Sequence, residues 1–354
     1  MPLPPSANLL AYCRPGFEGE CAQELAAHDA EHGGGGYARA TRAGGYVEFV
    51  CSNSASAAQI AAAGSRALIF ARQLLQVFGS ARELPPRDRL GVLLPIIESD
   101  ARRWCDAWVE SPDSDAAREL APLCRGLNAA LIAAMKKQQW IDRASRWRLH
   151  LCMTATDAAI VAAADIGRAA PWPGGIPRLK FPREAPSRST LKLEEALFVL
   201  LDEGERERWL KPGMRAVDLG AAPGGWTWQL VHRSLHVTAV DNGPMDTALL
   251  ASGLVDHLRA DGFRYRPAKA VDWLVCDMVE QPRRVAELIA QWFAQGHCRH
   301  AIFNLKLPMK KRWDEVQSCF AILREAAATA GLRIELRAKQ LYHDREEITV
   351  FARV

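Results

Sequence analysis

The segment Ala216-Val-Asp218-Leu-Gly220-Ala-Ala222-Pro223-Gly224-Gly225-Trp226 constrains this chain more than any other. An apolar strand running into a glycine-rich turn and then a helix lets backbone approach a ligand where side chains would block it. A nicotinamide dinucleotide wants glycine at the first, third and sixth turn positions, and here the third is Ala222, whose methyl would crowd a pyrophosphate. The next strand, Val237-Thr-Ala-Val-Asp241, ends in an acid about 20 residues after the loop, placed to accept hydrogen bonds from a ribose diol. Asp261, in Arg259-Ala-Asp261-Gly262, falls where a third strand should end and could accept a bond from an adenine amino group. Either acid alone reads equally well as a solvated strand end. Together, behind a loop with no phosphate to bind, they fit a nucleoside such as S-adenosylmethionine.

Strand and helix patterns alternate around this segment. Helices are expected at 190–201, from 225, and at 283–295 and 314–330. Strands are expected at 214–219, 236–240, before 259, and at 271–276, 300–307, 332–341 and 347–353. That order predicts an α/β domain: a doubly wound, Rossmann-like, mostly parallel sheet of seven strands. The last two strands are joined by too few residues for a parallel crossover and should form an antiparallel hairpin. Upstream, Pro171, Pro173, Pro177, Pro182 and Pro186 with Gly174 and Gly175 interrupt regular structure, so 166–188 is expected to be a linker between domains 1–165 and 189–354. The first domain reads as α+β, with strands at 9–13, 46–50, 68–78, 104–108, 147–153 and 158–164 and a possible sub-boundary at 79–87.

The formal charge is only +4, too little for a polybasic nucleic-acid coat, and the excess lies entirely after residue 170. Any nucleic acid must be held by local patches. Nine cysteines lack the two-residue spacing of a zinc or redox pair, and no metal cluster is apparent among the histidines, so no metal is expected. Cys276 immediately precedes Asp277 in a strand, so the two side chains should face opposite ways; a buried thiol is the better reading than a nucleophile. The Met-Pro-Leu-Pro-Pro start lacks the features of a signal peptide and no run approaches a membrane span, which makes the cytoplasm the expected location, with no membrane partner.

The run DLGAAPGGW at 218–226 resembles the first motif of the FtsJ-like RNA ribose 2'-O-methyltransferases. DNGPM at 241–245, DWLVCDMVEQP at 272–282, FNLKLPMKKRW at 303–313 and QLYHDREEITV at 340–350 closely resemble a bacterial large-subunit rRNA methyltransferase family within that class. The resemblance is dense from Ser187 onward. It is weaker before, where Cys13-Arg-Pro-Gly-Phe-Glu18 and the strand–turn–strand at 149–167 are similar to the THUMP-containing arm of RNA-modifying enzymes.

The resemblance implies a SAM-dependent methyltransferase domain with S-adenosylmethionine bound by Ser189, Gly220, Ala222, Pro223, Gly224, Gly225, Asp241, Asp261 and Asp277. It also implies a Lys-Asp-Lys-Glu tetrad at Lys192, Asp277, Lys306 and Glu346; Glu347 is adjacent and leaves that last position ambiguous by one residue. A ribose hydroxyl is a weak nucleophile, so a base must take its proton as it attacks the methyl, and Lys306 is the candidate. Its ordinary pKa keeps it protonated at neutral pH, so the site is expected to lower that value, with Lys192 and the cationic cofactor as causes.

The implied partner is 23S rRNA before full ribosome assembly, the target a cytidine ribose, with no obligate protein partner. Arg178, Lys180, Arg183 and Arg188 before Lys192, and Lys310, Lys311 and Arg312 after Lys306, could grip phosphates. In the first domain Lys136, Lys137, Arg143, Arg146 and Arg148 interleave with Trp140 and Trp147, a mixture that could contact phosphates and stack on bases. Two other readings stay open: a methyltransferase acting on another RNA or a small molecule, and a non-catalytic RNA-binding protein on the same fold.

Overall fold

The computed structural model describes residues 7–354; the first six, including the Met-Pro-Leu-Pro-Pro start, lie outside the described residues. The chain divides into two compact units, at Pro177 and Arg178.

The first unit is one seven-stranded sheet. Its elements are β1 (Asn8–Tyr12), α1 (Glu18–Glu31), β2 (Tyr37–Arg39), β3 (Tyr46–Val50), α2 (Ser54–Ala63), β4 (Gln73–Ala81), α3 (Arg89–Glu98), β5 (Asp106–Glu110), α4 (Ala121–Lys137), β6 (Trp147–Ala155) and β7 (Ala158–Asp165), in sheet order β2-β3-β1-β4-β7-β6-β5. β4 pairs with both β1 and β7, so one sheet joins the elements on either side of the segment 79–87, where a possible sub-boundary was expected. β4 also starts later than the apolar run suggests, because Leu68, Phe70 and Ala71 are buried in irregular backbone rather than in the sheet.

The Pro-rich segment is not a free linker. Gln73 exchanges side-chain hydrogen bonds with the backbone of Ala170, and the Gly174 N–H donates to Glu110. Gly175 adopts φ 72° against the Arg72 backbone, where any Cβ would collide. Its first half therefore belongs to the first unit.

The second unit contains α5 (Thr190–Leu200), α6 (Glu203–Trp209), β8 (Arg215–Leu219), α7 (Gly225–Val231), β9 (His236–Val240), α8 (Thr247–Ala251), β10 (Val255–Leu258), β11 (Val271–Cys276), α9 (Pro282–Ala294), β12 (Cys298–Lys306), α10 (Arg312–Thr329), β13 (Glu335–Lys339) and β14 (Glu347–Arg353). The sheet order is β10-β9-β8-β11-β12-β14-β13. The first five strands are parallel; β14 inserts antiparallel between β12 and β13. This is the doubly wound sheet with the closing antiparallel hairpin. The central strands are mostly apolar because helices cover both faces, and Trp226, Trp273, Ile302 and Phe351 meet in one buried cluster.

Strand register positions the chemistry. Cys276 lies opposite Leu219 of β8 and Phe303 of β12, so Gly220, Asp277 and Asn304 emerge side by side at the C-terminal edge. Across the β12–β14 ladder Lys306 faces Glu347 and Asn304 faces Thr349. Residues two apart share a face, so all four side chains point to the same side.

Candidate functional site: a charged ring beside a nucleoside-sized cavity

A cavity of about 430 Å³ opens at the strand ends, lined by Gly220, Ala222, Asp241, Asp261, Asp277 and Val279 among others. Its position, outside the carboxyl ends of parallel strands, is where open α/β sheets take ligands. Gly220 has φ 78°, and an added Cβ would come 2.7 Å from the Met278 Cγ, so only glycine holds this turn. Asp241 accepts the N–H groups of Ala222 (3.0 Å) and Gly243 (2.7 Å), which fixes the carboxylate at the rim while leaving each oxygen a further lone pair for a diol. Asp261 accepts the Phe263 N–H at 2.8 Å and is half exposed.

The other residues proposed around the nucleoside play supporting parts. Ser189 hydrogen-bonds to Ser187 at 2.6 Å, and both hydroxyls press on Gly225, which has no room for a Cβ. Gly224, at φ 117°, packs against Met245 and Leu249, and Pro223 follows a cis peptide bond. None of these four lines the cavity. The polar groups that do line it, three carboxylates and a glycine turn with no cationic phosphate clamp, suit a nucleoside.

Asp218 precedes the glycine turn in the same motif. It is 1% exposed, accepts the Thr227 hydroxyl at 2.6 Å, and sits beneath the turn. Burial pushes its carboxyl up to about 7 against the Thr227 bond, with Asp277 and Asp241 adding to the rise. A carboxyl with a folded pKa above its unfolded one binds more protons when folded. Its contribution to stability therefore falls as pH rises from about 4 toward 7, then levels off. Asp218→Asn should remove this slope, so the gap between variant and wild-type melting temperatures widens in the variant's favour from pH 5 to 7.5. A constant gap would show Asp218 already ionised.

Four charged groups close a ring at the cavity's edge. Lys306 Nζ donates to Asp277 Oδ1 at 2.7 Å and to Glu347, and Lys192 Nζ lies 2.5 Å from Glu347 and 3.3 Å from Asp277. Each lysine thus spans both acids, and the charges cancel. Glu346, the residue expected here, is not in the ring: it points the other way, 55% exposed, and accepts from Arg312 at 2.5 Å. The register explains the correction, since Glu347 stands directly opposite Lys306 and its neighbour must face away.

A second expectation also changes. Burial lowers the proton affinity of Lys306, but the adjacent Asp277 and Glu347 outweigh it and hold the amine above its ordinary value. Lys192 is not among the groups that dominate this balance, and it bridges the same two carboxylates. Cys276 is fully buried on the opposite face, its thiol pushed up to about 12 by burial. It is in no position to act as a nucleophile.

The basic residues divide by geometry. Arg178, Lys180, Arg183, Arg188, Lys310 and Lys311 are exposed, as are Val279 and Met309 at the ends of β11 and β12. Arg312 is committed to Glu346. In the first unit Lys136, Lys137 and Arg143 are exposed, and Arg146 is exposed but paired with Asp165. Arg148 is withdrawn, stacked 3.6 Å from the Trp108 ring, and Trp140 and Trp147 pack against the core. The stacking role expected of these two tryptophans is therefore poorly served.

Comparison with known proteins gives a consistent family. Residues 185–321 match the FtsJ-like methyltransferase model, 6–75 the RlmM ferredoxin-like domain, and 88–165 the N-terminal domain of ribosomal RNA large subunit methyltransferase M. The two upstream matches meet near 79–87, although one sheet joins the elements on either side. Ribosomal RNA large subunit methyltransferase M of Xanthomonas campestris pv. campestris (strain B100) is 55% identical over 350 residues, 98% of this chain and 99% of the relative. The protein of that name from Xanthomonas oryzae pv. oryzae (strain PXO99A) is 54% identical over the same shares. The solved structure of TrmN from Thermus thermophilus aligns over 98% of both chains at 18% identity, with a TM-score of 0.34. The methyl donor of this family is S-adenosylmethionine, and the cavity's donors fit it. With an FtsJ-like fold and near-complete coverage at 55% identity, the chain belongs to the ribosomal RNA large subunit methyltransferase M (RlmM) family.

Proposed function

We propose that this methyltransferase acts on the ribose 2'-hydroxyl of a cytidine in 23S rRNA, with Lys306 as general base and Lys192, Asp277 and Glu347 completing its site. The observation that carries this reading is the closed ring of two lysines and two carboxylates abutting the nucleoside-sized cavity. Bound S-adenosylmethionine supplies an electrophilic methyl on a sulfonium. Asp277 belongs to both the ring and the cavity wall, so it ties the position of the amines to that of the ligand.

Lys306 must lose its proton before it can take one from the hydroxyl. The ring is neutral with both lysines charged, so deprotonating one leaves a net negative charge. A cation in the adjacent cavity offsets that charge, which is how the site brings a tightly held lysine within reach of base chemistry. Exposed Arg178, Lys180, Arg183 and Arg188, with Lys310 and Lys311, give phosphates places to bind, while Val279 and Met309 offer apolar surface to a base. The relatives' names speak for a large-subunit rRNA substrate.

Methylation of protein-free 23S rRNA with labelled S-adenosylmethionine, followed by nucleoside mapping, tests the reading. One 2'-O-methylcytidine is expected, in lower yield from assembled large subunits. A base-methylated nucleoside, or transfer only to another RNA or a small molecule, would overturn it.

A further inference from the structure

Behind the charged ring lies a chain of buried polar side chains that the proposed chemistry does not use. Asn304 Nδ2 donates to Asp277 Oδ1 at 2.8 Å. The Thr349 hydroxyl lies 2.7 Å from Asn304 Oδ1, and 3.1 and 3.3 Å from the two carboxyl oxygens of Asp344. Asp344 also accepts the Leu341 N–H at 3.0 Å. Asn304 and Thr349 are 0% exposed and Asp344 1%, so bulk solvent does not reach the set.

Counting protons decides the direction of these bonds. Asp277 is a carboxylate gripped by two ammonium groups, so it only accepts, and Asn304 must turn its amide N–H₂ toward it. The Asn304 oxygen therefore faces Thr349 and also only accepts. Thr349 has one hydroxyl proton, and at 2.7 Å that proton must lie between it and Asn304, since two bare oxygens at this separation repel. Nothing remains for Thr349 to give to Asp344, so the contact between them needs a proton from the acid.

We propose that Asp344 is a positioning residue that works as a neutral carboxylic acid, donating to Thr349, which donates to Asn304, which donates to Asp277 and so fixes the carboxylate shared by both lysines.

The surrounding charges favour the neutral form. Glu347 from β14 and Glu195 from α5 both raise the proton affinity of Asp344, and they outweigh Lys192, whose charge is shared by Glu347 and Asp277. His343, the chain neighbour of Asp344, is turned to Glu195 at 2.7 Å. Burial, together with the neighbouring acids, holds Asp344 well above the usual carboxylate range.

The location of the proton is independent of the proposed function; its kinetic effect rests on that reading, through Asp277. Infrared spectra of the full-length protein and of D344N at pH 7 test the first. The wild type should show a protonated-carboxyl stretch that D344N lacks, with any Asp218 signal cancelling in the difference; no such band would overturn the proposal. For the second, Thr349→Val should lower kcat about 10-fold or more with the KM for S-adenosylmethionine unchanged, the size of one lost hydrogen bond. D344N, which keeps an N–H donor for Thr349, should stay within about twofold. Wild-type turnover by Thr349→Val, when Asp277→Asn is inactive, would overturn the chain. If Asp277→Asn is also fully active, the reading of the site has failed, and the infrared band alone decides the proton. Melting curves separate these effects from loss of fold.

Discussion

Replacing Lys306 with alanine is expected to abolish methyl transfer while leaving S-adenosylmethionine binding intact. The amine does not line the cavity, so no cofactor contact is lost, and calorimetric affinity for the cofactor should be retained or rise, because a ring that has lost one positive charge favours a cationic ligand. Removal of a general base costs typically 10²–10⁴-fold, and kcat should fall by about 10³. The wild-type pH profile carries a sharper test. Asp277 and Glu347 hold Lys306 above its ordinary value, so its neutral fraction is small throughout the neutral range and grows tenfold with each pH unit. The logarithm of kcat/KM, which reports the free enzyme, should rise with unit slope from about pH 6.5 to 9. A plateau at neutral pH would mean that the free site already lowers the lysine. Normal turnover by K306A would remove Lys306 from the chemistry altogether.

The second unit was legible from sequence because its signals are local. A parallel strand buried on both faces is a mostly apolar run, and 271–276 and 236–240 are short apolar-rich runs that each stop at an aspartate, Asp277 and Asp241. The glycine turn was equally legible, since Gly220 carries a backbone angle that L side chains rarely adopt. In the first unit most pairing is antiparallel between segments far apart in the chain, and burial there is not confined to strands. The run through Leu68 and Phe70 looked like strand because it is apolar, yet its residues pack as irregular backbone fixed by Glu24. The Pro-rich segment misled in the opposite sense. Proline and glycine exclude helix and central strand but do not prevent docking, and the hydrogen bonds of Gln73 and Glu110 that hold 170–175 come from residues far away in sequence.

The proton affinity of Lys306 was illegible for a related reason. Sequence spacing gathers two lysines and suggests mutual repulsion, but which charge dominates depends on who touches whom. Once each lysine bridges the same two carboxylates, attraction wins. The buried chain from Asp344 to Asp277 draws on three strand ends and a loop, and no motif spacing announces it.

The adjacent glutamates give the second large expected effect, because they differ by one residue in sequence and by an entire face in structure. Glu347→Gln removes one of the two charges that neutralise the lysine pair. Glu347 is 5% exposed, so Lys192 and Lys306 are left to share Asp277 in a site with little water. Breaking a buried ion pair typically costs 3–5 kcal/mol, and even a third of that misplacement energy appearing in the transition state would slow turnover by about 10-fold. A loss of 10- to 100-fold in kcat is therefore expected for E347Q, with a lower melting temperature. Glu346→Gln removes only an exposed carboxylate paired with Arg312, a contact worth about 0–1 kcal/mol, and should leave kcat within about twofold. The pH profile separates a catalytic consequence from mere destabilisation. One acid holding Lys306 protonated has gone, so the residual activity of E347Q should reach its plateau at lower pH than the wild type, whereas E346Q should keep the wild-type profile. Equal losses for the two variants would place the ring's acid outside this register, and a larger loss for E346Q would mean that Glu346, facing away here, turns inward when the substrate binds.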